Sequence, residues 1–232
     1  MTALSDRVVR ALQGAFAPQR DRARAVSMSA YMRDQFEYIG LSAPEQRRLA
    51  REALSGFPTP TEADLSAAAR TLWRLPEREY QYAACDYIAA HIRVCGPSFL
   101  ETLQKLITTK SWWDTVDVLC RHGAGAIVHA DLTQRVVMDA WIESDDLWLA
   151  RSAILHQERW KADTDPEVLF SYCLRRASDT DFFIRKAIGW ALRSYAHVDT
   201  LAVLAFLDEH GSALAPLSRR EALKRVDIGV RG

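Results

Sequence analysis

The sequence predicts an all-α protein, an α-solenoid of stacked helical hairpins with a concave groove. Three observations point there. Apolar residues recur at helical spacing nearly everywhere: in "DFFIRKAIGWALRSYA", Ile184, Ala187, Ile188, Ala191, Leu192 and Tyr195 fall at the offsets of one helix face. Sustained period-two alternation of β-branched residues is missing, which argues against strands. Helix starts recur near Glu79, Ser111, Asp146 and Asp181, spaced by 32, 35 and 35 residues. Each start has an aromatic within its first positions: Tyr80, Trp112, Trp148 and Phe183. A hairpin of that length cannot bury its own apolar side, so successive units stack.

The elements follow in order. "MTALSDRVVRALQGAF" carries Asp6, Arg7 and Arg10 inside its apolar pattern and reads as an amphipathic first helix, not a signal peptide. Residues 1–60 are expected to form irregular capping helices. Four hairpins follow, with first helices at 63–74, 97–109, 131–142 and 166–176. The second helices of the last three run over 111–121, 146–160 and 181–195. Ser111, Asp146 and Asp181 suit N-caps, and Gly40, Gly56, Gly96, Gly123 and Gly211 suit helix ends. Pro58, Pro60, Pro76, Pro97 and Pro166 fall in connections or first turns. No low-complexity linker interrupts the series, so one continuous domain over residues 1–232 is expected. In a solenoid, one helix of each pair lines the concave face. Here that would be the second helices.

Composition narrows the function. Lys+Arg and Asp+Glu are equal at 30 each, which argues against a uniformly basic nucleic-acid binder but allows a basic face. No uncharged apolar run approaches the roughly 18 residues of a membrane helix. Cys85, Cys95, Cys120 and Cys173 form no CxxC pair and read as buried free thiols of a reducing compartment. His91, His122, His129, His156, His197 and His210 lack metal-ligand spacing. Neither metal nor cofactor is expected. A cytoplasmic monomer is.

"SWWDTVD" (111–117) poses the functional question. At about 100° per residue, Trp112, Val116 and Leu119 share one stripe, expected as core. Trp113 and Asp117 lie one turn apart on an adjoining stripe, so Trp113 is expected to be partly exposed. Packing against the next helix and a surface ion pair would explain these two equally well. Trp190 sits off its helix's core stripe beside Gly189, a residue that costs about 1 kcal/mol against alanine inside a helix. That glycine suits close approach of another backbone. Arg151 flanks an apolar stripe and could pair with a carboxylate or clamp a phosphate. One carboxylate, one arginine and two aromatic faces suit a substrate that becomes cationic at a sugar while anchored by a phosphate.

At these residues the sequence resembles the AlkD family of DNA alkylation repair glycosylases, over nearly the whole chain. "YMRDQFEYIGLSAPEQRRLA" (31–50), "KSWWDTVD" (110–117), "WLARSAILHQERWK" (148–161), "DFFIRKAIGWALRSYA" (181–196) and "PLSRREALKR" (216–225) are similar to that family's blocks in order. The resemblance implies a stack of HEAT-like repeats, in agreement with the 35-residue period. It also implies that Trp113, Asp117, Arg151 and Trp190 are catalytic-site residues. The implied activity is excision of N3- and N7-alkylated purines, such as 7-methylguanine and 3-methyladenine, from duplex DNA without drawing the base into a pocket.

On that basis Asp117 is expected to stabilise an oxocarbenium-like sugar and position water, and Trp113 and Trp190 to hold the deoxyribose. Arg151 is expected to grip a flanking phosphate. No lysine is evident within the quartet, so a monofunctional glycosylase is expected. Tyr31, Arg47, Arg48, Lys110, Arg121, Lys186, Arg193, Lys224 and Arg225 are the DNA-contacting candidates. A non-catalytic binder of unusual DNA structures, or a protein–protein scaffold with Asp117 exposed beside an exposed tryptophan, are the alternatives.

Overall fold

The computed structural model describes residues 2–224; Arg225, among the DNA-contacting candidates, lies outside them. The described residues are helical in the repeat arrangement of an α-solenoid and contain no strand, only an isolated bridge between Glu37 and Glu77. Two compact units divide the chain, Met1–Lys110 and Ser111–Gly232.

In the first unit, α1 (Ala3–Phe16) begins at a capping box in which the Thr2 hydroxyl and Ser5 satisfy each other's backbone N–H groups. Its buried stripe of Val8, Val9, Leu12 and Phe16 packs on α3 (Ala43–Ala53) and α4 (Glu62–Arg74). Between α1 and α3 lies α2 (Arg22–Tyr31). A second capping box, Thr61 with Asp64, starts α4, which buries Leu65, Ala68, Ala69, Leu72 and Trp73. Paired with α4 is α5 (Arg78–His91), and α6 (Phe99–Ile107) follows.

The 37–41 segment joins this unit through buried charge. Glu79 is fully enclosed and accepts the backbone N–H groups of Ile39, Gly40 and Leu41 at 2.9, 2.8 and 3.1 Å. Arg78, equally enclosed, stacks over the Phe36 ring at 3.7 Å. Gly40 is required here. Its φ is +102°, and an added Cβ would stand 2.2 Å from the Asp21 carbonyl.

The second unit opens with α7 (Trp113–Val118), a π-helical segment Leu119–Ala124, and α8 (Gly125–Ala130). The helix expected over 111–121 therefore continues to residue 130, with Gly123 buried inside it and not at its end. Next come α9 (Arg135–Ile142) and α10 (Leu147–Leu155), which ends before the expected residue 160. Then follow α11 (Pro166–Arg175), α12 (Phe182–Ala196), α13 (Thr200–His210) and α14 (Pro216–Leu223). Asp146 and Asp181 cap α10 and α12 as expected, each accepting two backbone N–H groups. Their separation of 35 residues matches the repeat.

The repeat aromatics meet side by side. Trp112 lies 5.9 Å from Trp148 and 5.2 Å from Phe183, and Trp148 lies 5.0 Å from Phe183. This corrects the expected role of Trp112. It is the extended residue before α7, with φ −160° and ψ 157°, and its half-buried ring belongs to this cluster, not to the α7 core stripe. Ser111 is accordingly not the N-cap.

All four cysteines are free thiols; Cys85, Cys120 and Cys173 are buried and Cys95 partly so. Among the described residues no helix is long and apolar enough to cross a membrane.

Candidate functional site

Three helices of the second unit carry the quartet: α7 bears Trp113 and Asp117, α10 bears Arg151, and α12 bears Trp190. Mutual packing of α7 with α10, and of α10 with α12, brings them together. Trp113 opens α7 and is half-buried; one turn on, Asp117 is only 4% exposed. The scaffold alternative's exposed Asp117 is thereby corrected.

Burial of Asp117 follows from its partner. Arg151 donates from Nε to Oδ1 at 2.7 Å and from Nη2 to Oδ2 at 2.8 Å, a two-pronged fork. Its remaining nitrogen, Nη1, donates to the Phe183 carbonyl at 2.6 Å. Arg151 is itself 1% exposed. The carboxylate pairing weighed for Arg151 is present: three of its five N–H donors are bonded inside the protein, two of them to Asp117.

A second shared contact extends the network. Arg121 Nη2 reaches Asp117 Oδ2 at 3.5 Å, while its Nε meets the Glu158 carboxylate. Burial disfavours charge on Arg121, but Asp117 and Glu158 outweigh it and hold the guanidinium above its usual pKa. Burial pushes the Glu158 carboxyl up, with Arg121 only partly countering it. Two carboxylates and two guanidiniums thus neutralise each other around Asp117.

Trp190 is held from three sides. Its indole Nε1 donates to Glu221 Oε2 at 3.2 Å. The Arg151 guanidinium lies 5.3 Å from the ring centroid, and Lys186 Nζ lies 5.5 Å from it. Glu221, on α14, also accepts from Lys186 Nζ at 2.9 Å and Arg193 Nη1 at 3.0 Å. The Lys186 hydrogen bond is the main reason its carboxyl pKa falls to about 2. Gly189 makes this possible. A Cβ there would stand 2.5 Å from Glu221 Cβ and 2.8 Å from the Ser218 carbonyl, so α14 lies directly against the α12 backbone. The expected close approach is thereby explained.

This geometry contains a carboxylate fixed in orientation, two indoles and neighbouring cations. The model for the DNA alkylation repair enzyme family matches residues 12–226. The chain belongs to that family. A solved structure described as a predicted DNA alkylation repair enzyme from Enterococcus faecalis is similar at 29% identity with a TM-score of 0.83, covering 92% of this chain and 98% of that one. No curated protein matches.

DNA is the macromolecule such a repair enzyme must bind, so the state of each basic candidate matters. In the first unit Tyr31 is 74% exposed. Arg47 pairs loosely with Asp86 at 3.6 Å and Arg48 with Glu52 at 2.8 Å, both on the surface. Lys110 is half-buried, with Nζ donating to the Leu75 carbonyl at 2.5 Å. Burial and the nearby Arg78 pull its pKa down. In the second unit Arg121, Lys186 and Arg193 are three-quarters buried and ion-paired, whereas Lys224 is exposed.

Two departures stand out. A lysine does stand beside the quartet, since Lys186 packs on Trp190. The residues missed by sequence reasoning are Glu158 and Glu221. Glu221 lies in "PLSRREALKR" as the lone acid among four cations, which was the available signal.

Proposed function

We propose that this family member is a monofunctional DNA glycosylase of base excision repair, hydrolysing the N-glycosidic bond of N3- and N7-alkylated purines such as 7-methylguanine and 3-methyladenine. The observation that carries the reading is the Asp117–Arg151 fork, with Trp113 one turn before Asp117 on α7 and the Trp190 ring 5.3 Å from the guanidinium. Alkylation at N3 or N7 places a positive charge on the purine, so the base departs as a neutral molecule when the C1′–N bond breaks. Positive charge then passes to the deoxyribose. Water adds to C1′ as the bond breaks and loses a proton.

Asp117 suits that step. A carboxylate offers about four acceptor directions. Arg151 takes two, and Arg121 approaches a third at a long 3.5 Å, leaving capacity for water or the sugar. Because its orientation is fixed in advance, the charge need not reorganise as the cation develops. Trp113 and Trp190 supply ring faces attractive to a cationic sugar. In this reading Arg151 positions Asp117.

One cavity of the second unit, of about 580 Å³, is lined by residues such as Ile154, Glu158, Ala191 and Tyr195 and lies apart from the quartet; recognition without drawing the base into a pocket is part of the proposal. The deciding experiment is incubation with duplex DNA containing 7-methylguanine, scored for free base. Release by the wild-type chain and its loss in Asp117→Asn are expected. Near-wild-type single-turnover release by Asp117→Asn would sink the catalytic role.

A further inference from the structure

We infer that Glu221 is a positioning residue for the proposed glycosylase reaction, holding the Trp190 indole in place and enriching its ring face. The inference rests on the glycosylase reading. Lys186, Trp190 and Arg193 follow one another at i, i+4 and i+7, so they share one face of α12. The carboxylate on α14 receives a hydrogen bond from all three. Its side chain is only 8% exposed, so these bonds compete little with water.

Two consequences follow from the chemistry. An indole N–H bonded to a carboxylate is fixed in the ring plane, while Arg151 and Lys186 lie against the ring from other directions. Its rotation is therefore restricted. An anionic acceptor also pushes electron density into the ring, which strengthens its attraction for a cation. A sugar acquiring positive charge at Trp190 would gain from both. Equally, Glu221 cancels one of the two charges of Lys186 and Arg193, so those cations hold the site together before they hold phosphate. The carboxylate reaches this place because Gly189 lets α14 lie against α12.

The test uses the full chain with ¹⁵N-labelled tryptophan. The Trp190 indole Nε1–H resonance is assigned by its loss in Trp190→Phe, then followed in Glu221→Gln and Glu221→Ala. The expected result is a clear move of that resonance in both variants, with Glu221→Gln securing the test if Glu221→Ala folds poorly. Single-turnover release of 7-methylguanine should fall roughly 10-fold or more, as misplaced site groups do. DNA affinity should stay level or tighten, because two cations are unmasked. In the Trp190→Phe background, Glu221→Gln should cost little further. An unmoved indole resonance, or a full rate loss persisting without Trp190, overturns the positioning role. If the wild-type chain releases no base, the glycosylase reading fails on its own, while the resonance still decides whether Glu221 holds the indole.

Discussion

Arg151 meets Asp117 through two parallel hydrogen bonds of 2.7 and 2.8 Å while its third nitrogen is held by the Phe183 carbonyl. Both side chains are nearly fully enclosed. Removing one partner of such a pair strands a buried charge, which typically costs about 3–5 kcal/mol. Arg151→Ala should therefore lower unfolding free energy by that order in urea titration. Arg151→Lys should recover little, because an ammonium cannot reproduce the fork.

The same enclosure predicts a salt response. Each neutralised phosphate contributes about 0.9 to the slope of log affinity against log salt. Lys224→Ala, which removes an exposed cation, should shallow that slope by about one phosphate. Arg151→Ala should leave it unchanged. Fluorescence anisotropy with a labelled duplex at several salt concentrations measures both, and a slope made shallower by Arg151→Ala would assign Arg151 a phosphate contact.

Gly189→Ala should destabilise the protein. Alanine gains about 1 kcal/mol of helix propensity, but its Cβ would fall 2.5 Å from Glu221 Cβ and 2.8 Å from the Ser218 carbonyl. Overpacking of that kind costs about 1–3 kcal/mol. A net loss on the order of 1 kcal/mol in thermal unfolding is expected; a gain would show that α14 shifts freely.

His156 gives a pH signature. It is 1% exposed, its Nδ1 faces the Ala153 carbonyl at 2.7 Å, and burial pulls its pKa from 6.5 to about 4. Between those values the unfolded chain binds more protons than the folded one. Stability contributed by the neutral imidazole is thus complete above pH 6.5 and is lost as pH falls toward 4, by roughly 3 kcal/mol. Glu158, shifted upward, acts with the opposite sign, so the readout is the difference between wild type and His156→Gln. That difference should change across pH 4–6.5 and be flat above it.

Lys186 is the amine beside the quartet, and its Nζ is bonded to Glu221 at 2.9 Å. An ammonium held in that pair is a poor nucleophile for an abasic aldehyde. Borohydride treatment of the protein with abasic duplex should trap no covalent adduct, and no strand nicking should appear. An adduct that vanishes in Lys186→Ala would assign lyase activity instead.

Helix boundaries were legible where local chemistry decides them. Asp146 and Asp181 cap their helices because a short acceptor precedes an apolar periodic run, and that pattern is written locally. "SWWDTVD" misled because Trp112 precedes α7 in an extended conformation, so a 100° helical step does not reach back to it. Trp113 is nevertheless half-buried, as Trp112 is too, and Asp117 lies one turn along from it. Arg151 was placed at the edge of its stripe, yet whether it met a carboxylate or a phosphate depended on the depth of Asp117, which periodicity does not report. Glu221 stood out in composition as a lone acid, but its partner was not legible, for a similar reason. Its role arises from the contact of α14 with a glycine on α12, not from any spacing within either helix.

The clustered rings of Trp112, Trp148 and Phe183, tilted or edge-on to one another, act as spacers between the three helices that carry the quartet. A residue inserted in the connection after α10 would leave that spacing untouched. One inserted between Trp148 and Arg151 would turn the guanidinium by about 100° around its helix relative to the ring. The rings would still touch while the fork lost its carboxylate. Length variation between related chains should therefore collect in the connections and be purged from the stretches that join ring to charge, Trp112 to Asp117 and Trp148 to Arg151.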